Sequence, residues 1–128
     1  PGRLPVTGDA TAVLQAAVGL ERGGRIEAAA RAYAAASERW SGRLGGWIGL
    51  VNARYRLDDL EGAAEALRSA LDHHPQAAEA WNNLAVVLAD LGRRGAAVEA
   101  AERAVGLGGG GEATYRETLR EVRGQPSD

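Results

Sequence analysis

Small and apolar side chains recur every three to four positions along most of the chain, and clusters of Gly, Pro and Asp interrupt them at regular places. Between Ile26 and Arg39, for example, Ala29, Ala32, Tyr33 and Ala36 form one helical stripe. The same spacing predicts helices over about 10–22, 26–39, 44–57, 60–73, 77–91, 94–107 and 112–123. The interruptions have helix-ending chemistry. Gly23-Gly24 and Trp40-Ser41-Gly42 close the first two helices. Asp58 and Asp59 offer carboxylates to the free N–H groups of the helix that follows them, and Pro75 cannot continue a helix. Gly92 is free to take a left-handed turn, and Gly108 to Gly111 read as a connector. Residues 1–9 carry two Pro and two Gly and read as an extended lead-in, with Thr7 or Asp9 able to cap the first helix. The tail 124–128 is expected to fray.

A longer period overlies the helical one. Trp47-Ile48-Gly49-Leu50 aligns with Trp81-Asn82-Asn83-Leu84 at a spacing of 34 residues. The frame also joins Ala29, Ala63 and Ala97, then Ala36, Ala70 and Ala104, and sets Tyr33 above Leu67 and Ala101. A repeat of this length in a helix-forming chain describes stacked helix–turn–helix units. Small residues at Ala29, Ala63 and Ala97 let paired helices approach closely, while Trp47 and Trp81 fill the gaps to neighbouring helices.

These residues resemble the tetratricopeptide repeat pattern, Trp-x2-Leu-Gly-x2-Tyr, later Ala-x3-Phe, an Ala and then Pro. The middle unit supplies Trp47, Leu50, Val51, Arg54, Ala63, Leu67, Ala70 and Pro75. The third supplies Trp81, Leu84, Ala85, Leu88, Ala97, Ala101 and Ala104, with Gly109 in place of Pro. The first opens weakly with Val13, Ala16, Ala17 and Leu20, then matches at Ala29, Tyr33 and Ala36. The resemblance implies an all-α fold: a right-handed superhelix of three helical hairpins, over about 10–43, 44–77 and 78–111, plus a capping helix over about 112–123. On that cap Tyr115, Leu119 and Val122 share one side, and Arg116, Arg120 and Arg123 face solvent.

Composition narrows the function. The formal net charge is −2, and the chain offers neither a basic stripe for nucleic acid nor a polybasic membrane patch. All fifteen basic residues are Arg. The absence of Cys removes disulfides, thiolate metal sites and a Cys nucleophile. No apolar run reaches the ~20 residues of a membrane span, and no signal-peptide pattern is present. His73 and His74 point about 100° apart on a helix and poorly chelate one ion, so no metal or cofactor is expected. The carboxylates form no acid–base pair, Ser and Thr lack a nucleophile elbow, and no enzymatic activity is expected. Leu4-Pro5-Val6-Thr7-Gly8 matches a sortase pentapeptide but lacks the apolar segment and basic tail that such signals precede.

The family resemblance implies recognition of a protein or peptide on the concave face lined by the first helix of each hairpin. Helical projection places Gln15, Val18 and Arg22 there from the first unit. Gly45, Ile48, Gly49, Asn52, Tyr55 and Arg56 come from the second, and Glu79, Asn82, Asn83, Val86 and Asp90 from the third. The cap contributes Arg116, Glu117 and Arg120. Asn52 and Asn83 are the central candidates, because a carboxamide both donates to and accepts from a peptide backbone. Some relatives pair such Asn residues with Lys or Arg to hold a C-terminal carboxylate; here those basic places carry Ile48, Ala113 and Glu117. Gly45, Gly46 and Gly49 are read either as close helix packing or as an opening for a bulky ligand side chain beside Ile48 and Asn52.

A second resemblance rests on the opening Leu4-Pro5-Val6-Thr7, Arg39-Trp40, Trp81-Asn82-Asn83-Leu84-Ala85 and Leu107-Gly108-Gly109-Gly110. These are similar to the C-terminal repeat region of bacterial envelope proteins that carry a C39-type cysteine peptidase-like domain upstream. It implies a regulatory or substrate-recruiting arm, placed in the envelope or periplasm; without it the expectation is cytoplasmic. The start at Pro1 suggests an excised fragment or a processed protein. A structural module that associates with itself is the remaining expectation.

Overall fold

The computed structural model describes residues 9–124. The rest of the lead-in, with Thr7 and the sortase-like pentapeptide, and residues 125–128 of the tail lie outside the described residues. Seven helices follow one another: α1 (Ala10–Arg22), α2 (Ile26–Arg39), α3 (Leu44–Arg56), α4 (Leu60–His73), α5 (Ala78–Asp90), α6 (Arg94–Leu107) and α7 (Glu112–Arg123). They are the helices that the apolar spacing predicts, with bounds within a residue of those expected. There is no strand among the described residues.

The chain is a right-handed superhelix of three hairpins, α1/α2, α3/α4 and α5/α6, with α7 lying against α6 and α5. First helices also touch across units, α1 on α3 and α5 on α7, while no second helix packs comparably on another second helix. The first helices therefore line the inner, concave side, and α2, α4 and α6 spread around the outside.

Alanine makes this crowding feasible. Ala17, Ala29, Ala63, Ala97 and Ala101 have no solvent exposure, and Leu67 is equally enclosed. With a methyl at the crossing point, helix axes can come to the ~8 Å end of the usual 8–10 Å range. Larger groups fill what remains: Tyr33, Leu50, Leu84 and Leu88 are all buried.

The turn inside each hairpin is the same device used three times. Gly24, Asp58 and Gly92 stand 34 residues apart and all have positive φ, at 82°, 61° and 79°. In each, the next residue's N–H donates to a carbonyl five residues back: Arg25 to Leu20 at 2.9 Å, Asp59 to Arg54 at 2.9 Å and Arg93 to Leu88 at 2.8 Å. This 6→1 bond satisfies a carbonyl that the helix end would otherwise leave unpaired. Asp59 then starts α4, accepting from the Gly62 N–H at 2.9 Å. Asp9 does the same for α1, accepting from Thr11 and Ala12 N–H at 3.0 and 3.3 Å.

The two repeat tryptophans keep register but differ in burial. Trp47 donates its indole N–H to Ser41 O at 3.1 Å, and Trp81 donates to Pro75 O at 2.9 Å, six residues back in both cases. Trp47 is buried and stacks on His73 with ring centroids 5.5 Å apart. Trp81 is half-buried, its outer face under the Arg103 guanidinium at 5.1 Å. On α7, Val122 is buried as expected, but so is Thr118, whose hydroxyl donates to Thr114 O at 3.1 Å and so enters the interface satisfied. Arg123 is not simply solvated: it pairs with Glu102 at 3.1 Å, and its carbonyl accepts from Arg94 at 2.7 Å.

Candidate binding groove

Each neighbouring pair of first helices brackets a cavity on the concave side. Between α1 and α3 it measures about 520 Å³, with Leu14, Gln15, Val18 and Leu44 among its walls. Between α3 and α5 it measures about 180 Å³ and is lined by Val51, Asn52, Tyr55, Asn83, Val86 and Val87. Between α5 and α7 it measures about 300 Å³, with Val86, Asp90, Thr118, Glu121 and Val122 in its lining. Three of the five large exposed apolar residues among the described residues, Val18, Tyr55 and Val86, belong to these walls.

The middle pocket brings together four of the residues singled out from sequence: Asn52, Tyr55, Asn83 and Val86. Its lining combines two buried valines, Val51 and Val87, with the exposed Val86 and two carboxamides at the rim. A carboxamide rim can bond a peptide group from either side, and the valines can take an aliphatic side chain.

The other candidates fall elsewhere. Gln15 lines the α1/α3 cavity, and Arg22 is exposed near the end of α1. Ile48 packs against the core. Gly49 does not open a pocket. A Cβ there would stand 2.2 Å from the Tyr33 ring, so that ring fills the space the glycine leaves. Gly46 is similarly close-packed, its would-be Cβ 3.2 Å from Ser37 N. Of the two glycine readings, close packing is the one realised at both positions. Asn82 is buried rather than presented, and its Oδ1 has no hydrogen-bond partner among the described residues. Arg116 is held by Glu112 one turn back at 2.7 Å, and Arg120 is exposed; neither lines the α5/α7 cavity, which α7 enters with Thr118, Glu121 and Val122. On α7 the strip that lines the cavity is therefore a different one from the strip that carries Arg116 and Arg120.

A ladder of polar contacts, which the sequence reading missed, runs along the C-terminal ends of the first helices. Glu21 on α1 accepts from Arg56 on α3 at 3.2 Å, and Tyr55 on α3 donates its hydroxyl to Asp90 on α5. Both rungs join residues 35 apart, one more than the repeat, because the contact steps to the next helix and one residue along. Glu21 also accepts from the Tyr33 hydroxyl at 2.9 Å, linking α2 into the same network. Burial, then this hydrogen bond and the Glu21 charge, push the Tyr33 phenol up to about 12. Tyr55 is also raised, first by its bond to Asp90, then by burial and by the charges of Asp90 and Asp58.

His73 and His74 do not converge. His73 Nδ1 meets Ser69 O at 3.0 Å, whereas His74 Nε2 meets Ser41 O at 3.1 Å. No group of three or more metal-binding side chains occurs among the described residues, and no helix there is long and apolar enough to cross a membrane.

Comparison with known proteins agrees with this geometry. The sequence profile of the tetratricopeptide repeat family matches residues 48–112, half of the chain, and the chain belongs to that family. No curated protein matches it by sequence. Among solved structures it is similar to the TPR2B domain of yeast Sti1 in a complex with pHsp70, with a TM-score of 0.82 at 15% identity over 91% of this chain and 98% of that one. It is also similar to the Yersinia enterocolitica type III secretion chaperone SycD in complex with a peptide of the translocator YopD, with a TM-score of 0.81 at 14% identity over 92% and 95%. A third is the first tetratricopeptide repeat domain of Spaghetti (RPAP3) bound to the HSP90 peptide SRMEEVD, with a TM-score of 0.77 at 17% identity over 93% and 96%. At these identities the likeness is one of fold.

Proposed function

We propose that this tetratricopeptide repeat protein is a non-catalytic interaction module that holds an extended peptide segment of a partner protein along the concave face. The observation that carries the reading is the pocket between α3 and α5, where Asn52 and Asn83 share a lining with Val51, Val86 and Val87. Carboxamides bind main chain regardless of side chain, and an aliphatic pocket beside them supplies a preference. That several structural neighbours were solved with bound peptides supports the same use of the fold here.

Gln15 and Val18 extend the surface toward α1, and Arg56 and Tyr55 border it through the ladder. The basic places of a carboxylate clamp carry Ile48, Ala113 and Glu117, so the occupant is an internal segment rather than a free C-terminus. The test is selection from a displayed library of random peptides, with the native domain and the Asn52→Ala/Asn83→Ala variant run in parallel. The reading expects peptides enriched on the native domain and lost on the folded variant. Equal enrichment on both would move binding off this face.

A further inference from the structure

The three concave cavities do not lie level. The α1/α3 cavity draws on α1 from Thr11 to Val18 and on the first turn of α3, Leu44 and Gly45. The α3/α5 cavity draws on the middle and later turns, Val51 to Tyr55 and Asn83 to Val87. The α5/α7 cavity sits at the ends, reaching Asp90 and Gly124. Their chemistry also changes in order: largely aliphatic at Leu14, Val18 and Leu44, then aliphatic under carboxamides, then two carboxylates, Asp90 and Glu121, beside Val86 and Val122.

We infer that the groove takes an internal peptide segment running diagonally across the first helices, with two aliphatic side chains and then a basic one spaced about three residues apart. This rests on the proposed function and specifies its ligand. The spacing follows from geometry. Neighbouring first helices stand on the order of 10 Å apart, the first two cavities are offset by about two turns on α3 and the last two by about one turn on α5, and an extended chain advances ~3.3 Å per residue, so successive cavities are about three residues apart, slightly more at the first step. The basic residue is argued from charge. Asp90 accepts from Tyr55 through one oxygen, and Glu121 has no ion-pair partner among the described residues. An Arg or Lys entering the third cavity meets both carboxylates, whereas an acidic residue meets like charge with no basic side chain in that lining.

The experiment uses two fluorescent peptides with blocked ends, each with two Leu and one charged residue at every third position in a Ser background, ending in Arg in one and Glu in the other. Fluorescence polarisation is read on the native domain and on Glu121→Gln and Asp90→Asn/Glu121→Gln variants, with circular dichroism as the folding control. The expected result is about tenfold tighter binding of the Arg peptide, as two partly exposed charge contacts supply. That margin shrinks with added salt and falls severalfold in the variants. Equal affinity, a preference for Glu, or binding of neither peptide overturns the inference. If library peptides still require Asn52 and Asn83, the groove assignment stands without it. Glu121→Gln alone keeps the test open if Asp90→Asn unfolds the chain.

Discussion

Helices α3 and α5 hold the same place in successive repeats, and the same register position does opposite things in them. At Gly49 the missing side chain admits the Tyr33 ring from the preceding hairpin, and the position is sealed into the interface. At Asn83, one repeat later, a carboxamide stands at the rim of the pocket. The preceding second helix carries Leu67 where the earlier one carries Tyr33, a smaller group that leaves the next first helix free to bear a side chain. Ile48 packs as an aliphatic group, while its counterpart Asn82 is buried with an unpaired oxygen. A repeat fixes where a side chain points; whether that place is floor, rim or packing depends on the size of the residue facing it.

The largest expected difference between the two helices is at their tryptophans. Trp47→Ala removes a buried indole, its bond to Ser41 O and its stack on His73, and should cost about 3–5 kcal/mol in denaturant unfolding. Trp81→Ala removes a half-buried one and should cost nearer ~2 kcal/mol. Equal losses would mean that burial does not separate the two repeats.

The Tyr33–Gly49 fit comes next. Gly49→Ala places a methyl inside the Tyr33 ring and should cost about 3 kcal/mol, with Tyr33→Leu in the same background recovering much of it. Thermal melts of the four proteins in that cycle measure the coupling. Asn83→Ala should change stability by less than ~1 kcal/mol, since its side chain faces the pocket.

Alkaline pH probes the same tyrosine. The folded chain holds the Tyr33 proton more tightly than the unfolded chain, whose phenol titrates near 10, so its contribution is complete below pH 10 and is lost as pH rises toward about 12. The loss is on the order of 2 kcal/mol and should be absent in Tyr33→Phe when both are unfolded by denaturant across that range.

The smallest effect concerns the hairpin turns. Asp58 holds the left-handed conformation that its counterparts Gly24 and Gly92 adopt freely. Asp58→Gly should therefore raise stability by up to ~1 kcal/mol, while Gly92→Ala should lower it by about the same, both read from chemical denaturation.

Much of this was legible in the sequence because it depends on local periodicity. Helix spans, the enclosed alanines and the Gly92 turn follow from apolar spacing and from the conformational limits of side chains. The meeting of Asn52 with Asn83 follows from the repeat and the helical period together: Asn83 repeats Gly49, and Asn52 lies three residues beyond Gly49 on the same helix face. What the sequence did not disclose depends on the facing surface. The Tyr33 ring in Gly49's space, the burial of Asn82 and the rotation of α7 that brings Thr118 inward all require knowing how one helix is turned against the next. The ladder from Glu21 to Arg56 and from Tyr55 to Asp90 does not show at the repeat length because its step is one residue longer.

The central claim is that the rim of the α3/α5 pocket is where a partner's main chain is held. The most direct measurement is NMR titration of the isotopically labelled domain with a peptide selected by display. The account predicts the largest shift changes at the side-chain amides of Asn52 and Asn83 and at the methyls of Val86 and Val87. Changes concentrated on the outer helices α2, α4 and α6, with those amides unmoved, would contradict it.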